Sequence, residues 1–443
     1  MRVEDGCRGQ VRAPVARCRE GATYIGIPNS LSHSSPVDVR GTTSFGSQQQ
    51  FMVRSSSSSA FDKPVWNGVF AGVENAPASQ CGNAAADSSQ PSISSEKSVP
   101  LVAEKPFIKY EDGGKFSLVI PPVVKDSSGL PDYQDTNSTV VGFESVYVAT
   151  STDSAKAIND KLTSGLHVVL SPGIYNLEDT ISITNSDTVL LGLGFATLIC
   201  PSNGKPSITI MDVPGVRVAG VLLEAGPWET KGAMLQVGET GDFAGDESNP
   251  VVLSDVFARV GGQSNGVGPV ESMFLIQSGY TVIDNTWLWR ADHYANPDGG
   301  DDLPVKNFDN AVKNGVVVTA ENVFAYGLAA EHTTEHNVLW NGDSGTVLFY
   351  QAEINYDTTD DIWEYSCLKV GEDVSTFKGT GLGCYSYFRD HTSIAEIGID
   401  ANSAFIDKAV SVWLNGEDGS GIKNIVRDDG LNVDETNHVQ YKC

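Results

Sequence analysis

The chain is short of positive charge: 29 Lys and Arg stand against 56 Asp and Glu, a formal net charge of −27. Nucleic acids and anionic membrane surfaces need a basic footprint, so neither is an expected partner. A polyanionic substrate such as pectate is disfavoured on the same ground unless calcium bridges the charges, and a neutral polymer fits better. There is no run of 18 apolar residues, so no membrane span is expected. The arginine-rich start, "MRVEDGCRGQVRAPVARCRE", lacks the apolar centre of a secretory signal. CxxC is missing too, which argues against zinc or thiol-redox motifs. Seven cysteines is an odd count. Cys367 and Cys384 are near enough in sequence to pair, as are Cys7 and Cys18, although buried free thiols would account for them equally well.

Other catalytic signatures are lacking. There is no HExxH ("EHTTEH" is not one) and no GxGxxG in "GLGFATL". The GHG and RIK-like tripeptides of polygalacturonases do not occur either. Helix signals are scarce. The one segment that reads as a helix is 152–165, with Thr152 or Asp153 as cap, Ala157, Ile158 and Leu162 on one face, and Gly165 beyond its end. Hydrophobic content is 40%, enough for a sizeable core. One N-glycosylation sequon begins at Asn137 and is weak evidence alone.

What is present is a repeat. "DTVLLGLG", "PGVRVAGVLLEAG", "SDVFARVGG", "YTVIDNTWLWRAD", "ENVFAYGLAAE" and "GTVLFYQAE" share a small or polar turn, then Val, then alternating apolar residues. The valines fall at 189, 216, 256, 282, 323 and 347, with steps of 27, 40, 26, 41 and 24. Short strands repeating at about 25 residues, with insertions in the long steps, are the mark of a stacked β-solenoid. A propeller blade needs about 40 to 50 residues, and a jelly roll would show no fixed period. The expected fold is therefore all-β, a parallel β-helix. Upstream, "SSSSSA" (55–60) and "DSSQPSISSEKS" (87–98) read as loops or a linker.

Three repeats close on Ala and an acid: "RAD" at Asp292, "AAE" at Glu331 and "QAE" at Glu353. Strands one coil apart are about 4.8 Å apart. The spacing thus predicts a ladder of three acids on one edge, with Trp287, Trp289, Trp340, Tyr350 and Tyr356 around it. Repulsion and burial would raise at least one carboxyl pKa. The plainer alternative makes them solvated turn residues paired with Arg290, His293, His332 or Lys306. Acids beside aromatic rings suit sugar binding and glycoside hydrolysis, which needs one protonated and one ionised carboxyl. Inverting enzymes hold the two about 6.5–9.5 Å apart and retaining enzymes about 5–5.5 Å, so coil spacing alone leaves the stereochemistry open.

At "LWRADH", "GLAAEHTTEHNVLWNG" and "FYQAEINYD" the sequence resembles the family 55 glycoside hydrolases, exo-acting β-1,3-glucanases. "GSQQQFMVRSS", "VWNGVFAGVENAP", "HVVLSPGIYNL" and "VLLGLGFATL" are similar too, so the resemblance covers about residues 44 to 430. It implies two right-handed, pectin-lyase-like parallel β-helices packed side by side, an inverting reaction, no metal and no cofactor. It also implies a neutral β-glucan partner, a monomer and an extracellular location. Carried over, Glu353 resembles the general acid and Glu331 a carboxylate that places or polarises the water. Asp292 resembles a substrate contact, Trp289 and Tyr356 resemble sugar-subsite walls, and Gln48 and Gln50 resemble glutamines reaching the water site. The implied division is an unmatched segment (1–40), a remnant of the first β-helix (41–80), a connection (81–135) and the second β-helix (136–443). A serine expected as a water ligand within "VFAGV" is replaced by Ala71. The rival reading is therefore a catalytically impaired or non-catalytic β-glucan-binding solenoid.

Overall fold

The structure is a computed structural model. It describes residues 37–443 except 45–49, 84–89, 112, 131–136, 307 and 359; before these, only the backbone of three short strands, 16–18, 23–24 and 32–34, is described. Gln48 and Cys7 lie outside the described residues, and so does any test of a Cys7–Cys18 bridge.

The amino-terminal part contains a parallel sheet with strands β1 (Gln50–Arg54), β2 (Asn67–Ala71) and β3 (Ser92–Glu96). The expected loop at 87–98 is therefore partly β3, and "SSSSSA" forms most of the strand Ser57–Phe61, paired in parallel with Val37–Ser44. Serine is a poor strand former. Here its small side chain lets coils approach closely, and Ser58, Ser92 and Ser94 are each 1% exposed. Two antiparallel sheets follow, one of two strands and one of three. Val99–Ala103 pairs with Val123–Ser127, and Lys115–Ile120 lies between Phe107–Glu111 and Thr139–Gly142.

Parallel stacking resumes at Val146–Ala149. The chain then alternates between two sheets, of 12 and 10 strands among the described residues. The longer contains β4 (Val189–Ile199), β5 (Arg217–Glu224), β6 (Val251–Val260), β7 (Thr281–Arg290), β8 (Phe324–Glu331), β9 (Gly345–Glu353), β10 (Phe377–Tyr387) and β11 (Ile406–Asn415), each parallel to the next. A last strand, β12 (Val439–Lys442), runs antiparallel to β11. The second sheet passes through Thr230–Val237, Val270–Ile276, Val312–Val318 and Val338–Trp340. Two parallel sheets visited in turn are the arrangement of a parallel β-helix.

The repeat is less regular than the valines suggest. Val282 pairs with Val252, not Val256. Valine recurs within a strand and on both faces, Val256 in the core but Val252 and Val282 against the amino-terminal sheet, so the valines leave the register open. Inward residues from both sheets form one continuous core that includes Leu198, Val218, Leu253, Phe274, Ile283, Val316, Leu328 and Trp340. Each such aliphatic or aromatic group contributes about 1.5–3 kcal/mol through burial. The single α-helix among the described residues, Ala155–Thr163, packs on one end. Ser154 caps it, not Thr152 or Asp153, by accepting from the Ala157 amide, and Ala155 takes the buried place expected of Ala157.

The amino-terminal sheet docks on the long one. Met52, Val69 and Ala71 share an apolar cluster with Val252, Val282, Tyr326, Leu348 and Phe349. Within this contact Arg54, 1% exposed, pairs with Glu104 and with Asp284 of β7. Asn67 Nδ2 donates to the Gly381 carbonyl at 3.0 Å. Cys367–Cys384 is a disulfide, one of the two readings open from the sequence, and a second links Cys81 to Cys443; Cys200 is free and buried.

Candidate active site

Glu331 ends β8 and Glu353 ends β9. Ala329 pairs with Gln351, and the His332 amide donates to the Glu353 carbonyl at 3.0 Å, so the two acids are neighbours in register. They differ in access: Glu331 is buried (7% exposed), whereas the Glu353 side chain is 22% exposed at the mouth of the site. Trp287 Nε1 donates to Glu331 Oε2 at 2.7 Å. Tyr356 donates its hydroxyl to Glu353 Oε2, and Gln351 Nε2 lies 3.4 Å from Glu353 Oε1.

Burial, then the charge of Glu353, pushes Glu331 up to about 8. Burial likewise pushes Glu353 up to about 7, with Tyr356 opposing and Asp292 adding to the rise. Carboxyls on neighbouring strands titrate as one system, and both are held toward the protonated form near neutrality.

Asp292 does not complete a ladder. The residue in register with Glu331 is Trp289, because β7 ends at Arg290 and Asp292 lies in the following turn. It still reaches the site. His332 Nε2 is 3.8 Å from both Asp292 Oδ1 and Glu353 Oε2. Burial would raise the Asp292 carboxyl, but His332 and His293 outweigh it and hold the group below its ordinary value. Burial drives His332 down to about 4, so its ring is neutral at pH 7.

The expected rings divide between two faces. Trp289 stands on the outer face with Trp287, centroids 5.7 Å apart. Tyr356 packs edge-on to His332 at 4.3 Å and to Tyr387 at 4.9 Å. Trp340 and Tyr350, by contrast, point into the core, where Tyr350 donates to the Cys367 carbonyl at 2.7 Å. Strand alternation explains this, since Tyr350 has the opposite parity to Gln351 and Glu353.

Gln50 arrives from β1. Its Oε1 accepts from the hydroxyl of Tyr385, and Tyr385 is the register partner of Glu353 on β10. Ala71 lies elsewhere: it pairs with Arg54 at the far end of β1 and is buried in the apolar docking cluster. A hydroxyl there would face methyl groups, so Ala71 does not mark a lost water ligand beside Gln50.

The sequence reading missed Tyr385, Gln351 and the support beneath the turn. Buried Arg290 donates to the carbonyls of Asn310 and His332 and to Asn355 Oδ1, and forms a 2.9 Å ion pair with Asp357. Arg389 joins Asp357 Oδ1 at 2.8 Å to the Asp292 carbonyl at 2.7 Å. These bonds hold "INYD", and with it Tyr356, against Glu353. Tyr385 could have been found by continuing the coil register into "GCYSY", which lacks the opening valine of the other repeats.

Two neighbouring acids with raised carboxyl pKa values, beside indoles and a phenol at one edge of stacked parallel sheets, are the arrangement of a β-helix protein of glycoside-hydrolase type. Residues 146–353 match the family model for the LAM55 pectate lyase-like domain. An exo-beta-1,3-glucanase of Streptomyces sp. (strain SirexAA-E / ActE) is 36% identical over 358 residues, which are 79% of this chain and 56% of the relative. The chain thus spans little more than half the length of that curated relative. The solved structure of sacteLam55A from Streptomyces sp. SirexAA-E aligns with TM-score 0.82 at 31% identity, covering 93% of this chain and 73% of that one. A variant of the same protein in complex with glucose aligns with TM-score 0.81 at the same identity and coverage. The chain belongs to glycoside hydrolase family 55.

Proposed function

We propose that this chain hydrolyses β-1,3-glucan from one end with inversion, Glu353 serving as general acid. The observation that carries this reading is the Glu331–Glu353 pair, one member open to the cleft and the other buried and held by Trp287. Glu353 gives its proton to the glycosidic oxygen as the C–O bond breaks. A water on the opposite face of the sugar attacks the anomeric carbon. Glu331, with Gln50 and Gln48, orients and polarises that water. Asp292 contacts substrate hydroxyls, while Trp289 and Tyr356 wall the sugar subsite. The relatives' activity on β-1,3-glucan supports this substrate class.

Several further features belong to the same proposal. The β-helix winds right-handed, and the parallel sheets before residue 97 are part of a second β-helix alongside it. The protein acts as a monomer outside the cell, where its disulfides would persist. No metal or cofactor enters the chemistry. The impaired-enzyme alternative loses the support that Ala71 offered.

The test is incubation of the purified chain with laminarin, following released glucose and its anomeric form by NMR. Initial release of α-glucose is expected. Initial β-glucose would overturn inversion, and the absence of glucose would overturn hydrolysis.

Tyr356→Phe removes a donor that favours the charged form of Glu353. Its pKa is therefore expected to rise, and the alkaline limb of the kcat profile to move to higher pH, with a several-fold lower rate from poorer positioning. An unmoved limb would show that the phenol does not govern this proton.

A further inference from the structure

The outer face of the long sheet carries a second aromatic group away from the acids. Phe257 of β6 shares the register of Trp287, because Ser254 pairs with Asp284 before it and Ala258 with Leu288 after it. Phe195 of β4 leans across β5 to Phe257, with ring centroids 5.7 Å apart. Phe195 is 61% exposed. A bulge holds it out: the pairing with β5 shifts between Leu191 and Ala196, and Gly194 and Phe195 have φ of +60° and +55°. Left-handed backbone at a non-glycine residue is unfavourable, and so is a phenyl ring left in water. The core needs neither.

The rings form a line. Phe195, Phe257 and the Trp287–Trp289 pair lead strand by strand to Glu331 and Glu353. From β4 to β9 there are five strand spacings, about 24 Å in all at about 4.8 Å each, room for several glucosyl units. Beside the line, Arg259 is in register with Trp289 and is paired at 2.8 Å with Glu224. That pair offers hydrogen-bonding groups for hydroxyls without adding net charge. The track is thus apolar rings flanked by a neutral polar pair, in a protein of net charge −27, which suits an uncharged polysaccharide and repels a polyanionic one.

We propose that Phe195 and Phe257 bind the glucan chain beyond the bond being cleaved, as an extended platform on the leaving-group side. This rests on the exo-glucanase reading, in which the other side of the bond accommodates only the terminal unit. The experiment compares the Phe195→Ala/Phe257→Ala double variant with the unmodified chain on long laminarin and on laminaribiose. KM for laminarin is expected to rise about tenfold with kcat retained, while KM for laminaribiose changes less than twofold. Phe195→Tyr, which keeps a ring, is expected to retain the polymer KM. Equal rises on both substrates, or none on laminarin, would overturn the platform. Laminarin affinity is also measured by gel retardation in a Glu353→Gln background, with and without the two Phe changes. Weaker retardation of the double variant supports the platform whether or not the chain turns laminarin over, and equal retardation overturns it. Retardation without glucose release from the unmodified chain would overturn only the hydrolytic reading.

Discussion

Glu353→Gln is expected to lower laminarin turnover about 10²–10⁴-fold, the range for loss of a positioned general acid. Glutamine keeps the shape and can still accept from Tyr356, but it has no proton to give. The loss should shrink sharply on 2,4-dinitrophenyl β-glucoside, whose leaving group departs without protonation. An equal loss on both substrates would remove Glu353 from the acid role and make it a binding group. Glu331→Gln acts differently. Burial, Tyr356 and Asp292 set the Glu353 carboxyl and all of them remain, so the alkaline limb of the remaining activity is expected to keep its place while the rate falls. Stability follows the same linkage. Both folded-state carboxyls lie above their unfolded values, so folding is favoured at acid pH, and that contribution is lost as pH rises through about 7 to 8. Glu331→Gln should therefore flatten the alkaline fall in stability, read from urea unfolding at pH 5 and pH 9.

The second large effect concerns folding. Arg54→Met is expected to destabilise the chain by about 3–5 kcal/mol, the usual consequence of removing one partner from a buried ion pair. Arg54 faces Glu104 and Asp284, both nearly excluded from water. Without the guanidinium, two carboxylates remain in the seam between the amino-terminal sheet and β7. Replacing all three groups with apolar residues of similar volume should recover most of the loss. The check is the urea midpoint for the single and triple variants. A loss below about 1 kcal/mol for the single change would mean that the seam stays wet and the pair is weak.

Much of this architecture could be read from the sequence, for identifiable reasons. A solenoid repeats one local problem, so "TVIDNTWLWR" and "GTVLFYQAE" are legible as strands, but left-handed Asn285 and Phe349 reverse the alternation midway, so that Ile283 and Leu288, or Val347 and Tyr350, face the core with opposite parity. Register was harder to read. It depends on turn lengths, and valines four residues apart, such as Val252 and Val256, are interchangeable in pattern. That is why Asp292 was expected in a ladder position that Trp289 occupies. Parity also sorted the rings: Tyr350 and Trp340 looked like site residues until alternation put them inside. The serine-rich strands were invisible because propensity argues against them and only close coil packing favours them. Gln50 and Tyr385, 335 residues apart, meet through tertiary docking, and no local pattern could announce that.

The reversed direction of β12 has a consequence for association. A stack of parallel strands ends in a row of open amide and carbonyl groups, a template on which another molecule could polymerise. β12 covers that row, and it is itself only four residues long, bears Lys442, and is tethered through Cys443 to Cys81. This end of the long sheet is thereby made a poor seed for fibre growth.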